Sequence, residues 1–557
     1  MTNNNVPRTP TNIDRIAERW VDTLCELVPE TQTWLGRENP SPEYSDYTVE
    51  GTETYIQAAK TVLYELSKET PTDVTDQATH TDLTKSLHLD IKNFEQNTHL
   101  NDLNTIHSPL QSIQSIFDLM PTNTTEDWAN IDARLTNLPK AVKQYIKTLN
   151  EGIRQNITPA LRQVVEAAKQ AKHYSEKDGP FTLLAAQPQK TGTPLPGSLQ
   201  KNLNQHADEA RKAYAILANY LVDILAPHAQ QKDAVGRDAY TLASEGFLGK
   251  TVDLDETYLW GLNELENIRN QQANIISQIL PGATVKETIK YLDEQEHLTL
   301  HGTDKLQAWM QNLSDTAVKE LGKTHFNIQH PLNLLDCRIA PSNTGGIYYT
   351  GPSDDFTRPG QMWWSVPETV TTFHTWKETS TVYHEGVPGH HLQIATAVGQ
   401  KDNLNTWRRQ LAGTSGHAEG WALYAEQLMN ELGYLTTPEE QLGMLNMQQL
   451  RAARVVLDIG VHLEKQTPTG DGVWTAEYAH QFLTDNYHDT AESIRYEWLR
   501  YLGWPGQAPS YKIGQRIWND LRATASQQSG FDLKTFHQSA LELGGLRLDT
   551  LEQIVGR

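Results

Sequence analysis

The chain has 557 residues, of which 47 are Lys or Arg and 69 are Asp or Glu, for a formal charge of -22. Hydrophobic residues make up 38% and charged residues 21%, which is typical of a soluble globular protein and excludes a disordered one. The acidic excess disfavours nucleic acid and anionic membrane surfaces as partners. No apolar run approaches the roughly 18 residues of a membrane span, and we expect neither a secretory leader nor a lipid anchor.

The chain holds two cysteines, Cys25 and Cys337, which are far apart in sequence. Two thiols are too few for a metal cluster, and they fit a reducing compartment. We therefore expect a cytoplasmic protein. A homodimer stays open, because the sequence does not fix the oligomeric state.

Apolar residues at helical spacing predict a mainly α fold, starting with a helix over 12–35 that carries Trp20 on its apolar stripe. Further helices are predicted over 52–68, 82–94, 131–171 (two helices), 200–225, 255–280, 284–293 and 302–321. Glycines and prolines predict a long loop over 179–197 and a turn-bearing stretch over 236–251. We divide the chain into a helical scaffold, 1–235, and a catalytic helical part, 236–557, intertwined as one body.

The first β-structure is predicted as a hairpin of residues 346–350 and 361–366. Both segments are aromatic runs, and the ten residues between them are rich in turn formers. In a peptidase such an edge could pair with an extended substrate, or the hairpin could simply brace the core. The expected fold is thus a large helical body with a deep cleft and a small β-hairpin or sheet beside the helices of a metal site.

The segment 383–393, YHEGVPGHHLQ, concentrates the residue types of a zinc hydrolase. Such enzymes need neutral imidazoles to hold the ion and a carboxylate to take a proton from water. The strict pattern His-Glu-x-x-His is absent because Pro388 occupies its last position. On a regular helix His390 would point about 240° away from His384, and His391 would lie roughly 10 Å further along. Neither could share one ion with His384 on an unbroken helix.

Pro388 and Gly389 predict a break in this helix. Proline cannot donate to the carbonyl four residues back, and glycine allows a tight bend. We therefore expect the chain to swing His390 back toward His384, so that both hold Zn²⁺. His391 is the alternative ligand, and Glu385 is the predicted general base.

A third ligand is expected from the segment 416–426, GHAEGWALYAE. In zincins whose third ligand is a glutamate, that residue comes from a second helix some tens of residues on, and Glu419 lies 29 residues after His390. Glu426, two turns later on the same face, would support a ligand from outside. His417 is the spare candidate.

Two later segments supply candidates for contact with substrate. Arg454, Asp458 and His462 share one stripe of an apolar helix. His462 could face the substrate there, or the stripe could hold a buried ion pair and a core histidine. The turn-rich segment 497–514 adds further candidates, which could instead be packed core aromatics. These are Arg500, Tyr501, Gln507 and Tyr511.

Together these motifs resemble the family known as domain of unknown function 885, whose members look like zinc metallopeptidases. The match runs over HExxPGHHxQ from His384, EGWALYxE from Glu419, RxxxDxGxH from Arg454 and RY…PGQA…YxxG from Arg500. A looser likeness reaches the first helix. The resemblance implies a helical, cleft-bearing fold like that of glutamate-zincin carboxypeptidases and oligopeptidases.

We therefore predict a zinc-dependent hydrolase of peptide bonds with one Zn²⁺ per chain, acting on a peptide or small amide. Tyr511 or His462 would stabilise the oxyanion, and Arg454 and Arg500 would hold a substrate carboxylate, with Tyr501 and Gln507 beside them. One alternative is a non-catalytic peptide-binding or scaffold protein whose metal is structural or absent. The other is a zinc hydrolase of a non-peptide amide or ester.

Overall fold

The computed structural model describes residues 7–340, 346–367 and 369–556, without the side chains of residues 190 and 191. The fold is mainly helical, as the sequence predicts. The helices up to residue 220 are α1 (Asn12–Leu27), α2 (Glu30–Trp34), α3 (Val49–Leu66), α4 (Val74–Glu95), α5 (Pro109–Ser115), α6 (Thr125–Gln155), α7 (Leu161–Ser175), α8 (Pro180–Thr191) and α9 (Gly197–Tyr220).

The later helices include those that carry the metal-site candidates. They are α10 (Arg237–Leu248), α11 (Leu254–Ile279), α12 (Val285–Asp293), α13 (Thr303–Thr324), α14 (Thr375–Glu385), α15 (His390–Gly399), α16 (Ser415–Glu431), α17 (Pro438–His462), α18 (Ala476–Asn486), α19 (Ala491–Gly503), α20 (Ser510–Ala525), α21 (Leu533–Leu541) and α22 (Leu548–Val555). None of the described helices is both long and apolar enough to cross a bilayer.

Two small sheets lie before α14. The strands are β1 (Thr299–His301), β2 (Leu335–Ile339), β3 (Ile347–Thr350), β4 (Gly360–Trp364) and β5 (Thr372–His374). The predicted hairpin is present, because β3 pairs antiparallel with β4. The sequence reading missed β2, which adds parallel to the other side of β4, and the short antiparallel pair β1–β5.

The loop predicted over 179–197 and the turn-bearing stretch predicted over 236–251 are both mainly helical. Over 179–197 the chain forms α8, which starts with Pro180 at a position where proline suits a helix and buries Phe181 and Ala185. Over 236–251 it forms α10. Its two flanking glycines, Gly236 and Gly249, have positive φ and mark the ends of the helix rather than a loop.

The apolar core consists of separate clusters. The largest is built from residues after position 239, apart from Ala78 of α4. The second draws on residues between Tyr44 and Ala229. In the third, α1, α3 and α4 pack with Trp407 of the later part. The division of the chain at residue 236 stays a prediction, as does the deep cleft.

Candidate metal centre

The turn between α14 and α15 breaks the helix at the predicted place. The N–H of Gly389 donates to the carbonyl of Tyr383 at 3.1 Å. A Cβ on Gly389 would lie 1.9 Å from the carbonyl oxygen of His384, so only glycine fits here. The indole of Trp421, on α16, donates to the carbonyls of Pro388 and Gly389 at 2.9 and 3.3 Å, which fixes the turn against that helix.

The break brings together the three residues predicted as ligands. His384, His390 and Glu419 each offer one ligand atom, and these atoms lie within 4.8 Å of one another. The two imidazoles are nearly perpendicular, at 88°, with ring centroids 4.8 Å apart. Oε2 of Glu419 lies 3.2 Å from Nε2 of His384 and 3.5 Å from Nε2 of His390. Two imidazoles and a carboxylate form a donor set used by catalytic zinc sites.

Glu426 supports this cluster by contacting one of its imidazoles, that of His384. Its Oε1 lies 2.7 Å from Nδ1 of His384. When Glu426 accepts the Nδ1 hydrogen, Nε2 of the same ring is left free to bind a metal ion. Carboxylates orient metal-binding histidines in this way. The side chain of Glu426 is 1% exposed, so the pair is sealed from solvent.

The alternative ligand His391 is turned away from the cluster. Its Nε2 donates to the carbonyl of Leu332 at 2.8 Å, and its Nδ1 accepts from the hydroxyl of Tyr349 on β3 at 2.9 Å. Both ring nitrogens are therefore engaged, one by β3 and the other by the segment that precedes β2. The spare candidate His417 is also buried elsewhere, with its ring against the indole of Trp518.

The imidazoles and carboxylates of the cluster shift one another's pKa values. Burial lowers the pKa of His384, but hydrogen bonds with Glu419 and Glu426 outweigh it and raise that pKa to about 10. Burial opposes ionisation of Glu419, yet its hydrogen bonds to the two imidazoles hold its pKa well below the ordinary value. Carboxylates therefore dominate the electrostatics of a buried site, where charge interactions are strong.

Glu385 follows the ligand His384 directly and is 6% exposed. Burial raises its pKa, and the charges of His390 and His384 partly offset this effect. Among the described residues no hydrogen bond or ion pair holds its carboxylate. It is thus the unengaged acid beside the cluster.

Tyr511 reaches this region because α16 and α20 approach each other through glycine. A Cβ on Gly420 would lie 2.4 Å from the carbonyl carbon of Gly514, so side chains are excluded from the crossing. One turn earlier, the hydroxyls of Ser415 and Ser510 are 2.8 Å apart. Burial raises the pKa of Tyr511, and the negative charge of Glu419 adds to the effect.

The two predicted arginines share one carboxylate, Glu497. Arg454 donates to it from Nη2 at 2.9 Å, and Arg500 from Nη1 at 3.3 Å. Arg500 also donates twice to Oε1 of Gln507, at 2.5 and 3.1 Å. Both guanidinium groups lie over the ring of Tyr511, at 4.9 and 5.8 Å from its centroid.

Two of the candidates for contact with substrate are enclosed by the fold. His462 and Tyr501 have no exposed surface, so neither side chain can touch a substrate in this conformation. Nε2 of His462 donates to the carbonyl of Tyr501 at 2.9 Å. The hydroxyl of Tyr501 donates to Glu497 and accepts from Nε of Arg454 at 2.6 Å. Both residues therefore hold the arginine pair in place.

Sequence reasoning missed two charged residues near the site. Arg451 is 6% exposed and lies with Nη2 3.7 Å from Oε1 of Glu426. Glu497 is the counter-ion described above. Each stands three residues before a predicted arginine on its helix, and that spacing places side chains on one face. The same spacing could have identified both.

The comparisons with known proteins give a family and a fold. The family model of bacterial proteins of unknown function, DUF885, matches residues 29–555. A solved structure of a proposed lipoprotein from Colwellia psychrerythraea is similar with a TM-score of 0.84 at 21% identity, covering 98% of both chains. A second, a proposed lipoprotein of unknown function from Shewanella oneidensis, has a TM-score of 0.74 at 17% identity, covering 98% of this chain and 100% of that one.

No curated protein matches. At these identities the two solved structures show a shared fold alone. The family match is of another kind, because it extends over nearly the whole chain. The chain belongs to the DUF885 family of bacterial proteins of unknown function.

Proposed function

We propose that this chain is a zinc-dependent hydrolase of peptide bonds, of the carboxypeptidase, dipeptidase or oligopeptidase type. One observation carries the proposal: the ligand atoms of His384, His390 and Glu419 converge within 4.8 Å, although the sequence spacing is irregular. The chemistry around them supports it. Glu426 orients one imidazole, and Glu385 is a buried acid without a partner among the described residues.

The donor set fits Zn²⁺, since two imidazoles and a carboxylate leave a coordination position open for water or substrate. When bound, the ion polarises water and the carbonyl of the scissile bond. His384, His390 and Glu419 would hold it, with Glu426 fixing the ring of His384.

The remaining steps belong to this chain's own side chains. Glu385 accepts a proton from the attacking water and delivers it to the leaving amine, a role that its burial and raised pKa favour. Tyr511 donates its phenolic hydrogen to the oxygen that becomes negative. Its own oxygen accepts from Nη2 of Arg500 at 3.4 Å, which leaves that hydrogen free.

Metal analysis of the purified chain, paired with digestion of a peptide library with and without chelator, tests the proposal. We expect one zinc per chain and chelator-sensitive cleavage. Glu385→Gln should keep the zinc and lose turnover, because an amide cannot take up the proton. Full turnover in that variant would end the mechanism.

The same experiment separates the alternatives. A scaffold or peptide-binding protein would show no metal-dependent cleavage of any library. A hydrolase of non-peptide amides or esters would cleave model esters or amides without competition from mixed dipeptides. Cell fractionation decides between the cytoplasm, proposed from the two free cysteines Cys25 and Cys337, and a lipid-anchored form such as the names of the two solved relatives suggest.

A further inference from the structure

The arginine pair beside the metal centre carries an unbalanced positive charge. Arg454 and Arg500 are both hydrogen bonded to Glu497, so two positive charges meet one negative charge. The side chains are only 7% and 11% exposed. A buried cation is costly unless it is paired. The cluster therefore has the electrostatics of a site for one further anion.

One donor of this cluster is open. Nε and Nη2 of Arg454 are engaged by Tyr501 and Glu497, but Nη1 has no hydrogen-bond partner among the described residues. The fold does not seal Nη1 from solvent, so a ligand can reach it. Arg500 differs, because all three of its nitrogens donate to Gln507 or Glu497. The anion is therefore expected on Arg454.

This donor lies next to the residue that serves the scissile carbonyl in the proposed mechanism. Cζ of Arg454 is 4.9 Å from the ring centroid of Tyr511. Tyr511 is held beside the metal ligands by the Ser415–Ser510 contact and the glycine crossing of α16 and α20. An anion on Arg454 would thus lie beside the side chain that serves the scissile carbonyl in the proposed mechanism, where the terminal residue of a substrate would lie.

We propose that Nη1 of Arg454 binds the C-terminal carboxylate of a peptide, so that this chain releases single residues from the C-terminus of its substrates. The inference rests on the proposed function for the cleavage, but the carboxylate site stands without it. Glu497 divides its charge between the two arginines. It leaves one net positive charge, which matches the single charge of a peptide C-terminus.

Calorimetry on the full-length, metal-free chain tests the site without requiring turnover. The probes are N-acetyl-Gly-Phe as its free acid, the same dipeptide as its amide, and N-acetyl-Gly-Glu amide, which carries its carboxylate on a side chain. We expect the acid to bind about tenfold more tightly than either amide, because each amide lacks one charge-assisted hydrogen bond that the acid makes. Equal dissociation constants for the acid and its amide would overturn the proposal, and so would equally tight binding of the glutamate amide.

Three variants should change the preference for the acid over the amide in different ways. Arg454→Met should reduce the preference for the acid to within about twofold. Glu497→Gln should preserve or widen it, because the cluster then carries two net positive charges. Arg522→Met removes an arginine of α20 that is paired with Glu431 outside the cluster, and it should leave the preference for the acid unchanged. A preference that survives Arg454→Met, or that disappears in Glu497→Gln with the fold intact, would contradict the assignment.

The outcome is separable from that of the metal proposal. Cleavage of free and amidated peptides at equal rates, with equal binding, would refute the C-terminal site and keep the hydrolase. Selective binding of the acid by a chain that takes up no zinc when zinc is supplied, and that cleaves no peptide, would keep the carboxylate site and refute the hydrolase.

Discussion

The substitution Gly389→Ala tests whether the bend between α14 and α15 builds the metal centre. The new Cβ would lie 1.9 Å from the carbonyl oxygen of His384 and 2.5 Å from that of Tyr383, both of which are backbone atoms. Side chains do not approach closer than 3.0 Å, so the turn must open by at least 1.1 Å, the difference between 3.0 and 1.9 Å. Forced overpacking of this kind costs about 1–3 kcal/mol of the free energy of unfolding.

The same displacement should disrupt metal binding. Zinc–ligand distances tolerate about 0.2 Å of error, so a 1.1 Å shift at the His384 carbonyl is enough to lose the geometry. Urea denaturation and competition with a fluorescent zinc chelator measure the two effects. Gly197→Ala is the matched control, because Gly197 starts α9 with no atom within 4 Å of the new Cβ, and it should be neutral or stabilising. If Gly389→Ala kept both its urea midpoint and its zinc affinity, the bend would not be what assembles the site.

Three further predictions use the same assays. Glu426→Gln should weaken zinc binding by about 10- to 100-fold, because the ring of His384 loses its carboxylate, and unchanged affinity would remove Glu426 from the site. His391→Ala should keep one zinc per chain while losing about 1–3 kcal/mol of stability with its two hydrogen bonds, whereas His390→Ala should lose the zinc; the reverse pattern would make His391 the ligand. Burial raises the pKa of Asp458 from 3.8 to about 7, so its protonated form is favoured by folding. The wild type should therefore lose stability relative to Asp458→Asn as the pH rises through that window, and parallel urea midpoints from pH 4 to 8 would contradict the assignment.

The convergence of His384 and His390 could be predicted from sequence, because the residues between them explain how their irregular spacing is overcome. Two histidines six residues apart cannot meet on a regular helix, and the proline and glycine between them are the residues that break one. The outward support by Glu426 followed from helical spacing to Glu419 in the same way. Local chemistry was sufficient for the bend, whereas Glu419, 35 residues after His384, was predicted from the position of the third ligand in glutamate zincins.

Elements whose identity depends on partners far along the chain could not be predicted in this way. β2 is a short strand that pairs in parallel with β4. No pattern in the residues near β2 indicates this pairing. The segment that forms α8 contains several prolines and glycines, yet Phe181 and Ala185 bury against the second core and impose a helix. The sequence alone left open whether His462 and Tyr501 face a substrate or lie in the core, since only the packing of α17 on α19 encloses both.

The glycine crossing of α16 and α20 determines where Tyr511 lies relative to the candidate metal ligands. Glu419 and Tyr511 lie on different helices and are brought together by residues without side chains. A Cβ on Gly514 would lie 2.1 Å from the carbonyl oxygen of Gly416, so α20 would have to move away from α16. That movement would carry Tyr511 away from the candidate metal ligands, and away from the two guanidinium groups that lie over its ring. Glycine at this crossing is therefore as necessary to the proposed chemistry as the imidazoles, although it can touch neither metal nor substrate.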